Sequence, residues 1–324
     1  MMEALQRYGP NQPIPVLITE LNKLYHEWEA ERYEHSHPEI FEQLPPIWDE
    51  MLAVLDARCP QESFRILDFG CGTGFEARQF LGHFEPRRVE KIVCYDPSPG
   101  MLMECQRSLG TWRDKTEFVA DLRDVWQGRG EFNVLVTNSV LHHLPQPVQA
   151  IRHIADLLAP RSMWLCGHEP SNRFVKNPEC RAVLRQYHAS DRWRRLFSAR
   201  RYARRVLRWT GAQELPEDYA ARRAYEQSMF QLRPPAQVVS RLVDFHVVSG
   251  EADLAESSGL DFLQLQTALA GEWNLLWRRT YSFLGSHYER TLPTRWQREA
   301  HRLAANYPDD GANFCLIWQR GKLP

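Results

Sequence analysis

A chain of 324 residues, 43% hydrophobic and 25% charged, has room for one catalytic domain with a sizeable insertion, and its composition excludes a disordered or collagen-like protein. With 40 Lys and Arg against 41 Asp and Glu, the net charge of −1 excludes binding to nucleic acid or membrane by whole-chain charge, so any basic site has to be local. The 7 cysteines are spread out and form no C-x-x-C pair, which speaks against a disulfide scaffold or zinc ribbon and for reduced thiols in a cytoplasmic protein. The first residues, MMEALQRYGPNQPIPVLITELNK, place Pro and Glu where a signal peptide needs an unbroken apolar stretch, and no window approaches a membrane-spanning length.

In chain order, residues 16–57 carry apolar side chains at helical spacing in pieces (Val16, Leu17, Leu21, Leu24 and Trp28, then Ile47, Met51, Leu52 and Leu55), so helices precede any strand. From Phe64 short β-branched runs alternate with helical stretches: RILDF, EKIVCYD, TEFVAD, FNVLVTN and SMWLCGH. Five strands alternating with helices predict a parallel, doubly wound α/β sheet. After His168 the alternation stops, and residues 170–245 read as a polar, Arg-rich helical insertion. Patterning resumes in GEADLAESSGLDFLQLQTAL, which predicts a short helix and a sixth strand near 261–268. Residues 272–306 read as a second helical stretch, and NFCLIWQRG predicts a seventh strand. The expected organisation is a helical cap (1–60), an α/β core (61–169), the Arg-rich insertion (170–250) and a segment completing the sheet (251–324).

The sharpest motif is RILDFGCGTGFEARQF, where Gly70, Gly72 and Gly74 follow an apolar strand and open a helix. Glycine there permits positive φ and close approach of backbone to a ligand, while the helix offers unsatisfied N–H groups. A nicotinamide-binding fingerprint would need its third glycine one residue later, at Phe75. Asp96 ends the second strand and Asp121 the third; taken alone, helix capping explains the first and loop polarity the second.

These residues together resemble the class I S-adenosylmethionine-dependent methyltransferases, whose first motif has the form acidic-x-G-x-G-x-G, matched by Asp68, Gly70, Gly72 and Gly74. The resemblance covers residues 64–169 well and the last two strands more loosely. It implies a seven-stranded, Rossmann-like sheet that binds S-adenosylmethionine and releases S-adenosylhomocysteine. By the same resemblance Asp96 holds the ribose hydroxyls, Asp121 the adenine amino group, and Cys71, Pro97, Met101, Leu122, Asn138 and Ser139 complete the cofactor site.

An amine or hydroxyl acceptor must lose a proton, so a base is sought near the carboxyl ends of the strands. His142, His143, His168 and Glu169 stand there, with His142 and Glu169 as the catalytic candidates. Substrate contacts are expected from Tyr33 and His37 in the helical cap, from His143 and His168, and from Asn172 and Arg173 at the mouth of the insertion. No metal is expected: His35, His37, His142 and His143 invite one, but Asn138 and Ser139 stand where carboxylates would be needed. The run RWRRLFSARRYARRVLRW offers Arg192, Arg194, Arg195, Arg200, Arg201, Arg204, Arg205 and Arg208 for phosphates or for acidic neighbours. With only five lysines in the chain, arginine abundance is partly a chain-wide habit, so a solvated or lid-forming helix is favoured over nucleic acid. The expected partner is a small-molecule acceptor for nitrogen or oxygen methylation, in specialised metabolism by family analogy, with a homodimer as a compatible assembly. An RNA methyltransferase and a non-catalytic cofactor- or partner-binding protein are the alternatives.

Overall fold

The computed structural model describes residues 5–60, 62–196, 214–243, 259–285 and 291–321. Seven strands, β1 (Phe64–Phe69), β2 (Val89–Tyr95), β3 (Thr116–Val119), β4 (Phe132–Asn138), β5 (Leu158–Pro170), β6 (Trp273–Tyr281) and β7 (Asn313–Arg320), form one sheet in the order β3-β2-β1-β4-β5-β7-β6. The first five run parallel, and β7 lies antiparallel between β5 and β6. Order reverses at β1 and β4, which puts a crevice at their carboxyl ends.

Helices cover both faces. Preceding the sheet are α1 (Ile14–Glu29), α2 (Tyr33–Ser36) and α3 (Pro45–Arg58). Between the parallel strands run α4 (Phe75–His83), α5 (Pro99–Ser108), α6 (Leu122–Gln127) and α7 (Pro147–Ala155). After β5 come α8 (Asn172–Lys176), α9 (Pro178–Leu196), α10 (Pro216–Glu226), α11 (Ala236–Val243) and α12 (Phe262–Ala268), and α13 (Thr294–Asn306) precedes β7.

Alternation within the central strands divides the core. Ile66, Val136, Leu165 and Ile317 pack on Trp48, Leu52 and Phe80, whereas Leu67, Leu135, Trp164 and Trp318 face Ile151 and Phe262. Because both faces are covered, β1 and β7 read as nearly continuous apolar runs. A separate cluster joins distant parts of the chain: Leu17 and Leu21 of α1 bury against Ala220 and Ala224 of α10 and Leu242 of α11. At the far end of the sheet Phe174, Val183 and Tyr187 pack on Trp296 and Leu303 of α13.

Two expectations are corrected. Residues 261–268 are helix, not strand: Asp261 caps α12 by accepting from Leu263 N at 3.0 Å, and the buried Phe262, Leu265 and Leu269 follow helical rather than alternate spacing. The sixth strand lies instead at Trp273–Tyr281, inside the stretch read as helical, of which α13 is the only long helix among the described residues. Its alternation is masked by a register shift between Leu275 and Trp277, and it is an edge strand whose Arg278 and Arg279 pair with Asp309 and Glu50. Among the described residues no helix is long and apolar enough to cross a membrane.

Candidate active site

The glycine loop turns directly off β1. Gly70 N and Cys71 N both donate to Tyr95 O of β2, at 2.7 and 2.9 Å, and Gly70, Gly72 and Gly74 take φ of 76°, 49° and 82°. The three glycines are required for different reasons. A Cβ on Gly70 would stand 2.5 Å from Val140 Cγ2, and one on Gly74 2.8 Å from Cys105 Sγ, whereas a Cβ on Gly72 would meet nothing within 4 Å. The first two positions are closed by packing; the third opens onto a cavity.

That cavity, about 280 Å³, is floored by the glycine loop, Tyr95, Asp96 and Met101, flanked by Leu122 and the loop after β4, and roofed by α1. Asp96 links floor and wall: its Oδ2 accepts from Gly72 N at 3.0 Å and its Oδ1 from Ser98 N at 2.8 Å. Burial raises its pKa to about 6 against these hydrogen bonds. Each carboxylate oxygen has a second lone pair, so the group can accept two further hydroxyl protons from the cavity side.

Two carboxylates of the N-terminal helices fasten roof to floor, and the sequence signals neither. Glu27 Oε2 accepts from Gly100 N at 2.8 Å and Ser98 Oγ at 3.0 Å, reinforcing the N-terminus of α5. Glu34 Oε1 accepts from Arg78 at 2.7 Å and Thr73 Oγ1 at 3.1 Å, bridging α2 to the glycine loop.

His26, also missed, lines the cavity from α1. Its Nδ1 lies 2.8 Å from Asn22 O, an acceptor only, which fixes the proton on Nδ1 and leaves the lone pair on Nε2. Desolvation lowers its pKa below the ordinary 6.5, keeping the ring neutral at pH 7. The ring meets His143 edge-on, with centroids 5.0 Å apart, and His143 Nδ1 lies 3.1 Å from Val243 O. Lys23, Asn22 and Thr19 complete the roof, and Glu76, whose pKa burial raises to about 8, lines the opposite side.

Of the residues expected from the sequence, Gly70, Cys71, Gly72, Asp96, Pro97, Met101, Leu122, Asn138, Ser139, Tyr33 and His143 meet at this cavity. Asp68 and Gly74 are not among the lining residues: Asp68 is buried, its pKa raised by desolvation, and it accepts from the backbone N–H of Ala77 in α4. Asp121 caps α6 and pairs with the exposed Arg123, which depresses its pKa to about 2, and it does not line the cavity.

Neither catalytic candidate is among the residues that line the cavity. Glu169 is fully buried on β5; its Oε1 accepts from Val140 N and Leu141 N at 2.9 and 2.8 Å, and its Oε2 accepts from His142 N at 3.2 Å and from His142 Nδ1 at 2.8 Å. A carboxylate so engaged braces the loop after β4. His142 is buried beside it, with a pKa lowered to about 3 by desolvation, outside the cavity lining. Other expected contacts are likewise engaged elsewhere: His37 lies 3.4 Å from Glu29 and against Tyr33, and His168 Nδ1 lies 2.6 Å from Tyr281 Oη. Asn172 is buried where its N donates to Leu260 O, and Arg173 pairs with Asp310 at 3.0 Å over the Phe262 ring. On β6, Trp273 and Tyr281 are buried in the core and Trp277 packs partly buried against it. The side chains of the arginine run from Arg192 to Arg208 lie outside the described residues.

A family model for the methyltransferase domain matches residues 25–217, more than half of the chain. Among curated proteins, an uncharacterized protein of Synechococcus sp. is 41% identical over 101 residues, 30% of this chain and 23% of that protein. The trans-aconitate 2-methyltransferase of Mycobacterium tuberculosis is 32% identical over 108 residues, 33% of this chain and 38% of the enzyme. The matched segments thus span well under half the length of these relatives. Among solved structures, the plantazolicin methyltransferase BpumL in complex with SAH aligns over 95% of this chain and 98% of its own at 12% identity, with a TM-score of 0.46. Through the match that spans α2, α3, the glycine loop and the first five strands, the chain belongs to the methyltransferase-domain family.

Proposed function

We propose that this methyltransferase transfers the methyl group of S-adenosylmethionine to nitrogen or oxygen of a small-molecule acceptor enclosed between the glycine loop and α1. The observation that carries the reading is the opening at Gly72. It is the one glycine of the loop whose missing side chain leaves space rather than a packing contact, and it stands 3.0 Å from the Asp96 carboxylate. The residues present suit the cofactor: Gly72 offers unobstructed backbone, Asp96 two lone pairs for vicinal hydroxyls, and Tyr95, Met101 and Leu122 an apolar bed for a flat ring. When bound, the sulfonium supplies an activated methyl group for in-line displacement.

The chain's own contribution is chiefly placement and exclusion of water. Ile40, Phe41, Phe69 and Leu144 give the cavity an apolar lining. His26 Nε2 is placed to take the proton of an amine or hydroxyl as the methyl group arrives, and His143 to orient the acceptor. Lys23 offers a cation to an anionic one. A carboxylate acceptor would need no base, so His26 distinguishes the acceptor classes.

Calorimetric titration with S-adenosylmethionine and S-adenosylhomocysteine, followed by an acceptor screen and by bulk RNA across a salt series, tests the proposal. Micromolar cofactor binding indifferent to RNA is expected. Absence of cofactor binding would overturn it, and salt-sensitive RNA binding would replace the small-molecule acceptor.

A further inference from the structure

Directly beneath the glycine loop, Cys71 of the loop, Cys94 of β2 and Cys105 of α5 bring their Sγ atoms within 4.8 Å of one another, and all three are buried. They come from separate elements, at positions 71, 94 and 105, so no spacing in the sequence announces them. We infer that these three thiols form a binding site for a soft monovalent d10 cation, copper(I), held by three thiolates.

The geometry suits a three-coordinate ion. Sulfurs about 2.3 Å from a central ion in a trigonal plane stand about 4.0 Å apart, inside the observed limit. Among the described residues no histidine or carboxylate joins the group, which favours a cation content with three sulfurs over zinc, whose structural sites are tetrahedral. Arg78, whose guanidinium donates to Thr73 O at 3.0 Å, is close enough to Cys105 to offset part of the negative charge of a thiolate cluster. Cys71 also lines the cavity, which gives an ion a route in. On binding, the cation replaces the thiol protons, which pass to solvent, and no electron is transferred. The ion would tie the glycine loop to β2 and α5, the three elements that carry the floor of the cavity.

The test uses the full chain, reduced and under nitrogen, titrated with copper(I) as its bicinchoninate complex. Wild-type protein should withdraw one ion per chain and show thiolate-to-copper absorption, with three sulfurs and no lighter ligand in its X-ray absorption spectrum. C94S and C105S should withdraw at least tenfold less, while C315S, which alters a thiol on β7, should match wild type. Failure of the wild-type chain to compete, retention of copper by C105S, or a first shell with fewer than three sulfurs would each overturn the assignment. If C94S and C105S do not fold, the wild-type absorption spectrum decides alone. None of these readouts depends on methyl transfer.

Discussion

Replacing Glu169 with Gln separates a brace from a base. The substitution keeps shape and one acceptor oxygen, so Val140 N and Leu141 N, at 2.9 and 2.8 Å, retain a partner, though a neutral one. At the other oxygen an NH2 group now faces His142 N and Nδ1, two donors that held the carboxylate at 3.2 and 2.8 Å. Moving the imidazole proton to Nε2 lets Nδ1 accept from the new amide, but His142 N stays without an acceptor, and a buried orphan donor costs about 1–3 kcal/mol. With the weaker bonds at the first oxygen the loss should be about 3 kcal/mol. At about 2 °C per kcal/mol for a chain of this size, Tm should fall by about 6 °C. Differential scanning calorimetry without ligand measures it, and S-adenosylhomocysteine affinity should fall in parallel, because Asn138, Ser139, Val140, His143 and Leu144 of the braced loop line the cavity. An E169Q protein with wild-type Tm and slowed turnover would refute the brace and restore Glu169 as a base.

Gly72→Ala should fold, since its methyl group meets no atom within 4 Å and the left-handed φ costs about 1–2 kcal/mol, yet bind S-adenosylhomocysteine at least tenfold more weakly by calorimetry. Gly70→Ala, with a Cβ 2.5 Å from Val140, should instead lose stability first, visible in its melting curve. Asp96→Ala should stay folded and weaken cofactor affinity by about two orders of magnitude, the loss of two charge-assisted hydrogen bonds; undiminished affinity would remove Asp96 from the site. For an amine or hydroxyl acceptor, protonating His26 abolishes its lone pair, so kcat/KM should drop as pH falls, with a midpoint below 6.5 because desolvation lowers the ring's pKa against the opposing pull of the Asn22 carbonyl and Glu29. His26→Gln should lose that acid limb, and a limb surviving in the variant would assign it to another group.

The parallel half of the fold was legible because its strands are buried on both faces and separated by turn residues and helical periods. The loop from Gly70 to Gly74 was legible because positive φ leaves few residue choices. Misreadings fell where side-chain pattern and environment diverge. FLQLQ alternates like a strand, but a capping aspartate and three apolar residues at helical spacing make it α12. The edge strand from Trp273 to Tyr281 carries charged residues that a central strand would not. In the site, the residues nearest the cofactor motifs were found, yet His26, Glu27 and Glu34 were not, because polar residues on an amphipathic helix look alike until the fold shows which of them face another element. The engagement of Glu169 was hidden for the opposite reason. Its place at a strand end suggested chemistry, while its partners, three backbone N–H groups, leave no trace in sequence.

The insertion of β7 between β5 and β6 bears on how the chain is made. Among the described residues β6 pairs with β7 alone, and β5 has only β4 until β7 arrives. During synthesis the five parallel strands can therefore assemble as a unit, while Trp273–Tyr281 leaves the ribosome about forty residues ahead of Asn313–Arg320 with no ladder to join. In that interval its apolar residues and unpaired backbone are exposed to other nascent chains, and the arginines at its centre act as gatekeepers against premature pairing.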